Sequence, residues 1–154
     1  MPVQLEGRLA NPDRIARADF CPIERTVKLV GTRSAMLLLR EAAYGTTRFD
    51  DFVRRAGLTE TVAASRLREL VAAGLLTKEP YREPGQRTRY EYVLTAAGAD
   101  LVPTLVALAA WGAEHLPRQP SPSYAHAGCG APVDARIECA AGHAVTMDEL
   151  VASA

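Results

Sequence analysis

The side chains with the clearest chemical potential are three cysteines, two histidines and a set of arginines. Cys21, Cys129 and Cys139 are too few to make a secreted disulfide framework, so each must be buried, reactive or metal-bound. Cys21 precedes Pro22 at the expected start of a helix. Unsatisfied N–H groups and the helix dipole there favour a thiolate, which reacts with electrophiles and oxidants. Arg17 and Arg25 add positive charge, which Asp19 and Glu24 offset. A cysteine at this place serves equally well as a small packing residue. Further on, His126, Cys129, Cys139 and His143 are spaced H-x2-C, nine residues, then C-x3-H. Two close pairs of borderline-soft ligands suit tetrahedral zinc, and the nearby glycines suit tight ligand turns. A segment this short builds little core alone, so a metal would help it fold. The alternative is a strand-rich appendage with incidental cysteines.

The basic residues are almost all arginine, with Lys28 and Lys78 the only lysines. Arginine suits bidentate contacts to phosphate and guanine. A net charge of zero over 154 residues argues against general coating of nucleic acid, but allows a local basic face. No phosphate loop, Ser-His-Asp pattern or paired-His hydrolase motif is present, so an enzyme is not expected. No bilayer-length apolar run is evident, and MPVQLEGRLANPDRIARADF has no signal-peptide core, so a cytoplasmic location is expected.

The elements that must position these groups follow from periodicity. Residues 1–20 read as an N-terminal arm. A helix begins at Cys21-Pro22, since proline is favoured at the first helical position. RSAMLLLREAAYG reads as a central buried helix closed by Gly45. FDDFVRRAG gives a short helix ending at Gly57. Thr59 caps the next, in which Val62, Ala63, Leu67, Leu70 and Val71 form the expected buried stripe. LLTKEPYREPGQRTRYEYVLT reads as two strands, with Pro84-Gly85 at the centre of a type II turn. Thr95 starts a long helix to about Leu116, kinked at Pro103, with Leu101, Leu105, Leu108 and Trp111 on one face. That stripe suits either a second subunit or the chain's own core. Residues 117–125 form a Pro/Ser-rich linker. Residues 126–154 form a small appendage ending in a helix, TMDELVASA.

Two short helices joined by a Gly-containing turn, followed by a basic hairpin, make a winged helix-turn-helix pattern. The fold class expected is mainly α with a small β-hairpin wing, over residues 21–116. Duplex DNA is the expected partner: the second motif helix fits the major groove, and the hairpin reaches phosphates or the minor groove. The candidate contacts are Arg48, Thr59, Thr61, Ser65, Arg66 and Arg68 around the helices, and Arg82, Arg87 and Arg89 on the wing. Glu83 and Glu91 could instead pair with the wing arginines on the surface.

The segment CPIERTVKLVGTRSAMLLLREAAYGTTRFDDFVRRA resembles the opening of HxlR-type regulators, relatives of the MarR group. SRLRELVAAGLLTKEPY, RYEYVLTAAGADLVPTLVALAAWGAEH and the Arg48-Phe49 pair extend the resemblance to about residue 116. It implies a homodimeric winged-helix regulator, a repressor more often than an activator, whose terminal helices pair across the dimer. It also implies a thiol-switch role for Cys21, as in members that sense quinones, aldehydes or hypochlorite. A small apolar inducer in the dimer cleft, or a winged helix used for protein contacts, is the alternative. Longer members end in a similar Cys/His stretch. Here Gly142-His143 stands where a last cysteine is expected, so His143 either replaces that ligand or the site has decayed. Thr61, Ala63, Ala64 and Ser65 occupy places where the family often has Lys, Leu, Ser and Gln, which shifts the expected burden of binding to Arg66 and the wing.

Overall fold

The computed structural model describes residues 3–11, 21–117 and 122–153. At its centre are three helices, α2 (Arg33–Ala43), α3 (Phe49–Ala56) and α4 (Glu60–Ala72), preceded by α1 (Pro22–Val30). Local capping explains where they begin. The Thr32 hydroxyl accepts the Ala35 N–H at 3.2 Å, and the Thr59 hydroxyl accepts that of Val62 at 3.3 Å. In α3, Asp50 and Asp51 occupy the first turn and Arg54 and Arg55 the last, complementing the helix dipole. Gly57 then leaves the helix at φ 60°, where a side chain would be strained.

Leu38, Leu39, Phe52, Leu67 and Leu70 are completely enclosed, and each contributes roughly 1.5–3 kcal/mol of burial. Two positions differ from the expected core. Glu41 is 4% exposed, its carboxylate held by Arg40 at 2.6 and 3.1 Å. Val62 is 42% exposed, because Ala63, Leu67 and Leu70 of α4 turn inward with Val71 packed beside them.

Strands β2 (Leu76–Tyr81) and β3 (Arg89–Leu94) form the antiparallel wing, in register from Leu76↔Leu94 to Tyr81↔Arg89. Its tip is the expected tight turn: the Gln86 N–H donates to Glu83 O at 3.0 Å, and Gly85 has φ +77°. The wing base is fixed to the body. Tyr92 packs edge-on against Phe52 at 6.1 Å, and its N–H donates to Thr47 O at 2.8 Å.

The single long helix expected after Thr95 is two helices, α5 (Ala96–Ala99) and α6 (Val102–His115). Proline has no N–H to continue the ladder, so Pro103 sits in the first turn of a new helix rather than kinking an old one. Thr95 stitches this junction: its hydroxyl donates to Gly74 O at 2.6 Å and accepts the Gly98 N–H at 3.0 Å. Gly98 is required by proximity, since a Cβ there would lie 2.1 Å from Leu75 O. Contrary to the expectation of no bilayer-length apolar run, Ala96–His115 is long and apolar enough to cross a bilayer by length and composition.

The tail departs most from expectation. TMDELVASA is not a helix. Thr146 and Glu149 close a turn through the Thr146 N–H and hydroxyl, at 2.9 and 2.8 Å from Glu149 Oε2. The chain then extends as β4 (Val151–Ser153), paired in parallel with β1 (Gln4–Glu6). A 3-10 turn, Gly7–Ala10, follows β1. The arm and the appendage therefore meet, with Gln4 Nε2 donating to Asp148 O at 2.6 Å. Backbone hydrogen bonds of this sheet outweigh the weak helical preference of so short a segment.

Candidate nucleic-acid interface

The inward turn of Ala63, Leu67 and Leu70 leaves the opposite face of α4 to solvent. Thr59, Thr61 and Ser65 are exposed there, and Arg68 projects at the flank, its Nε donating to Ala64 O at 3.3 Å. Arg66 is half-buried and ion-paired with Glu69, while its Nε is buried without a partner. Glu69 also accepts the Ser65 hydroxyl at 3.4 Å. This carboxylate neutralises the arginine expected to dominate the helix. Glu69 stands three and four positions beyond Arg66 and Ser65, the spacing at which helical side chains meet.

On the wing, Arg87 and Arg89 are exposed, and Arg82 folds back to donate to Gln86 O at 3.1 Å. Lys78, absent from the sequence candidates, lies 4.4 Å from the centroid of the Tyr90 ring on the same hairpin. Arg48 is placed differently from the other candidates. Its Cζ stacks 3.2 Å from the Tyr81 ring centroid, and Nη2 lies 3.9 Å from Glu83 Oε1. Its Nη1 is buried with no partner. The guanidinium thus sits between the start of α3 and the wing, lining a groove of about 660 Å³. Burial pushes the neighbouring Tyr92 phenol up, an effect that Arg68 partly opposes.

The remaining candidates lie apart from this face. Cys21 is the N-cap of α1, half-buried, as its Pro22 neighbour implies. Arg17 and Asp19 lie outside the described residues. Of the expected helical stripe, Leu101 and Leu105 pack on the core, while Leu108 and Trp111 are 51% and 58% exposed. The four candidate metal ligands do not converge. His126 Nδ1 and Cys129 Sγ lie 3.2 Å apart in one turn, and Cys139 and His143 share another through the Cys139 N–H and His143 O at 3.0 Å. Among the described residues no three His, Cys, Asp or Glu side chains gather as a metal-holding group. Backbone N–H groups of His143 and Ala141 hold the exposed Cys139 thiol below its ordinary range.

A capped helix presented on a three-helix body, with a cationic hairpin beside it, defines a winged helix-turn-helix DNA-binding protein. Comparison with known proteins agrees. Residues 29–120 match the HxlR-like helix-turn-helix family, and the chain belongs to it. It is 41% identical over 119 residues to an HTH-type transcriptional regulator of Mycobacterium tuberculosis, covering 76% of this chain and 74% of the relative. The crystal structure of PA1607, described as a transcription factor, superposes with a TM-score of 0.72 at 31% identity, over 82% of this chain and 89% of that one. The reduced form of the redox regulator HypR superposes with a TM-score of 0.55 at 29% identity, over 61% and 92% respectively.

Proposed function

We propose that this transcriptional regulator acts as a homodimer, as a sequence-specific repressor that occludes its operator in the cytoplasm. The observation that carries the dimer is α6: the helix is strongly apolar, yet none of its residues is buried. A second copy covering Leu108 and Trp111 removes that surface from water and accounts for the bilayer-length apolar run without a membrane. Two-fold pairing also presents two copies of α4 to successive major grooves. Arg66, Arg68 and the wing arginines supply phosphate and guanine contacts. Thr59, Thr61 and Ser65 supply the smaller polar ones. Gel shifts with duplexes selected from a random pool test this. Affinity should fall steeply with salt, with one slope increment of about 0.9 for each phosphate contact. Absence of any selected duplex would refute the reading in favour of a protein-interaction module.

The signal to which the repressor responds has two supported readings. One is thiol modification at Cys21, supported by its N-cap position on α1 and by the likeness to a redox regulator. Cys21→Ser should abolish release of DNA by diamide or a quinone. The other is an apolar ligand beside α6. A groove of about 880 Å³, within the range of ligand sites, runs between α2, α6 and Tyr124. Zinc is not part of either reading.

A further inference from the structure

The exposed face of α4 is chemically unusual for a helix that enters DNA. Its centre line runs through Thr61, Ser65 and Arg68, opposite the buried Ala63, Leu67 and Leu70, and a second line through Val62, Ser65, Arg66 and Glu69 flanks it. Of the charged pair on this line, Glu69 already occupies Arg66. Of the rest, Val62 is the large side chain nearest the helix N-terminus, the end that meets base edges. It is an apolar residue standing 42% exposed, next to the exposed hydroxyls of Thr61 and Ser65. Its backbone is fixed by the Thr59 cap, which accepts the Val62 N–H, so the side chain starts from a defined place on the first turn. In the major groove the apolar group available to such a side chain is the C5-methyl of thymine.

We propose that Val62 is a specificity-determining residue that reads a thymine methyl in each operator half-site. The inference rests on the DNA-binding reading above and adds to it the base that the helix requires. The contact forms no hydrogen bond. Its selectivity comes from removing one methyl group and the two valine methyls from water together. A cytosine at that position presents an amino donor without a methyl, and leaves that donor facing an apolar side chain.

Deoxyuridine gives a direct test, since it pairs as thymine does but lacks the methyl. The full-length protein selects duplexes from a random pool, and each thymine of the selected site is then replaced singly by deoxyuridine. One position per half-site should weaken binding about fourfold, the value of one buried methyl. The Val62→Ala protein loses the contact in both half-sites, so its affinity for the thymine duplex should fall by roughly the square of that factor, about sixteenfold, and it should become insensitive to deoxyuridine at that position. Val62 is largely outside the core, and circular dichroism of the variant checks that the fold is retained. A selected site with no constant thymine, or one at which no replacement weakens binding, overturns the proposal. So does a Val62→Ala variant that stays as sensitive as the parent. Failure to select any duplex instead refutes DNA binding itself.

Discussion

Replacing Arg48 by alanine separates a residue that touches phosphate from one that sets the angle of the wing. The structure supplies the magnitude. The guanidinium stacks on Tyr81 at 3.2 Å with its side chain 37% exposed, a geometry worth about 1 kcal/mol. The Glu83 pair at 3.9 Å is exposed and adds little. If Arg48 acts by holding the wing against α3, its loss should weaken DNA binding about fivefold per protomer at every salt concentration. The slope of log affinity against log salt should then be unchanged. If Arg48 instead neutralises a phosphate, the slope should fall by about 0.9 for each contact removed. Fluorescence anisotropy titrations across a salt series measure both quantities. The stacked geometry leads us to expect weaker binding on a parallel line. A reduced slope in Arg48→Ala, restored by Arg48→Lys, would refute the positioning role, since lysine keeps the charge but not the planar stack.

Four further outcomes are expected. Gly98→Ala forces a Cβ to 2.1 Å from the Leu75 carbonyl and should cost about 3 kcal/mol, read as a lower urea midpoint at constant slope. Leu108→Glu should convert the proposed dimer to a folded monomer in sedimentation, because Leu108 lies outside the monomer core. Glu69→Gln frees Arg66 from its carboxylate, and should raise affinity for unrelated duplexes about threefold and steepen the salt dependence. The Tyr44 hydroxyl, 2.9 Å from that of Tyr124, pushes the Tyr124 phenol up to about 12 from 10.0. The neutral phenol is thus favoured in the folded chain, so this contribution to stability is complete below pH 10.0 and is lost as pH rises through about 12. In Tyr44→Phe, ultraviolet titration should show Tyr124 ionising nearer 10.0.

The DNA-binding elements were legible because their signals are local. Thr59 caps, Gly57 closes a helix and Pro84-Gly85 makes a turn, each within a few residues of the structure it dictates. Features that depend on distant partners were not. Nothing near Arg48 in the sequence announces Tyr81, whose ring it covers. Glu41 lies on an otherwise apolar face of α2, and only the packing of distant elements shows that it is enclosed there. Val62 matched a helical stripe one position too wide. The repeat of leucines across Pro103 suggests one continuous helix, where the missing N–H starts a new one. The Cys/His spacing was accurate as spacing, yet two pairs can each close their own turn without meeting. β1 and β4 are three-residue strands with no alternation long enough to read.

The pairing of β1 with β4 has a consequence for the order in which the molecule is assembled. Gln4 and Asp148, which it brings together, are 144 positions apart. During synthesis β1 leaves the ribosome long before its partner exists, while α2 through the wing can already collapse around Phe52 and Leu70. The DNA-reading body is therefore complete while the arm that leads into Cys21 is still unclasped. Closing so long a loop comes late and adds few contacts, so the clasp is the part most easily reopened in the finished protein. A nascent or C-terminally clipped chain would keep its DNA-binding surface but lose the pairing that holds Gln4–Glu6.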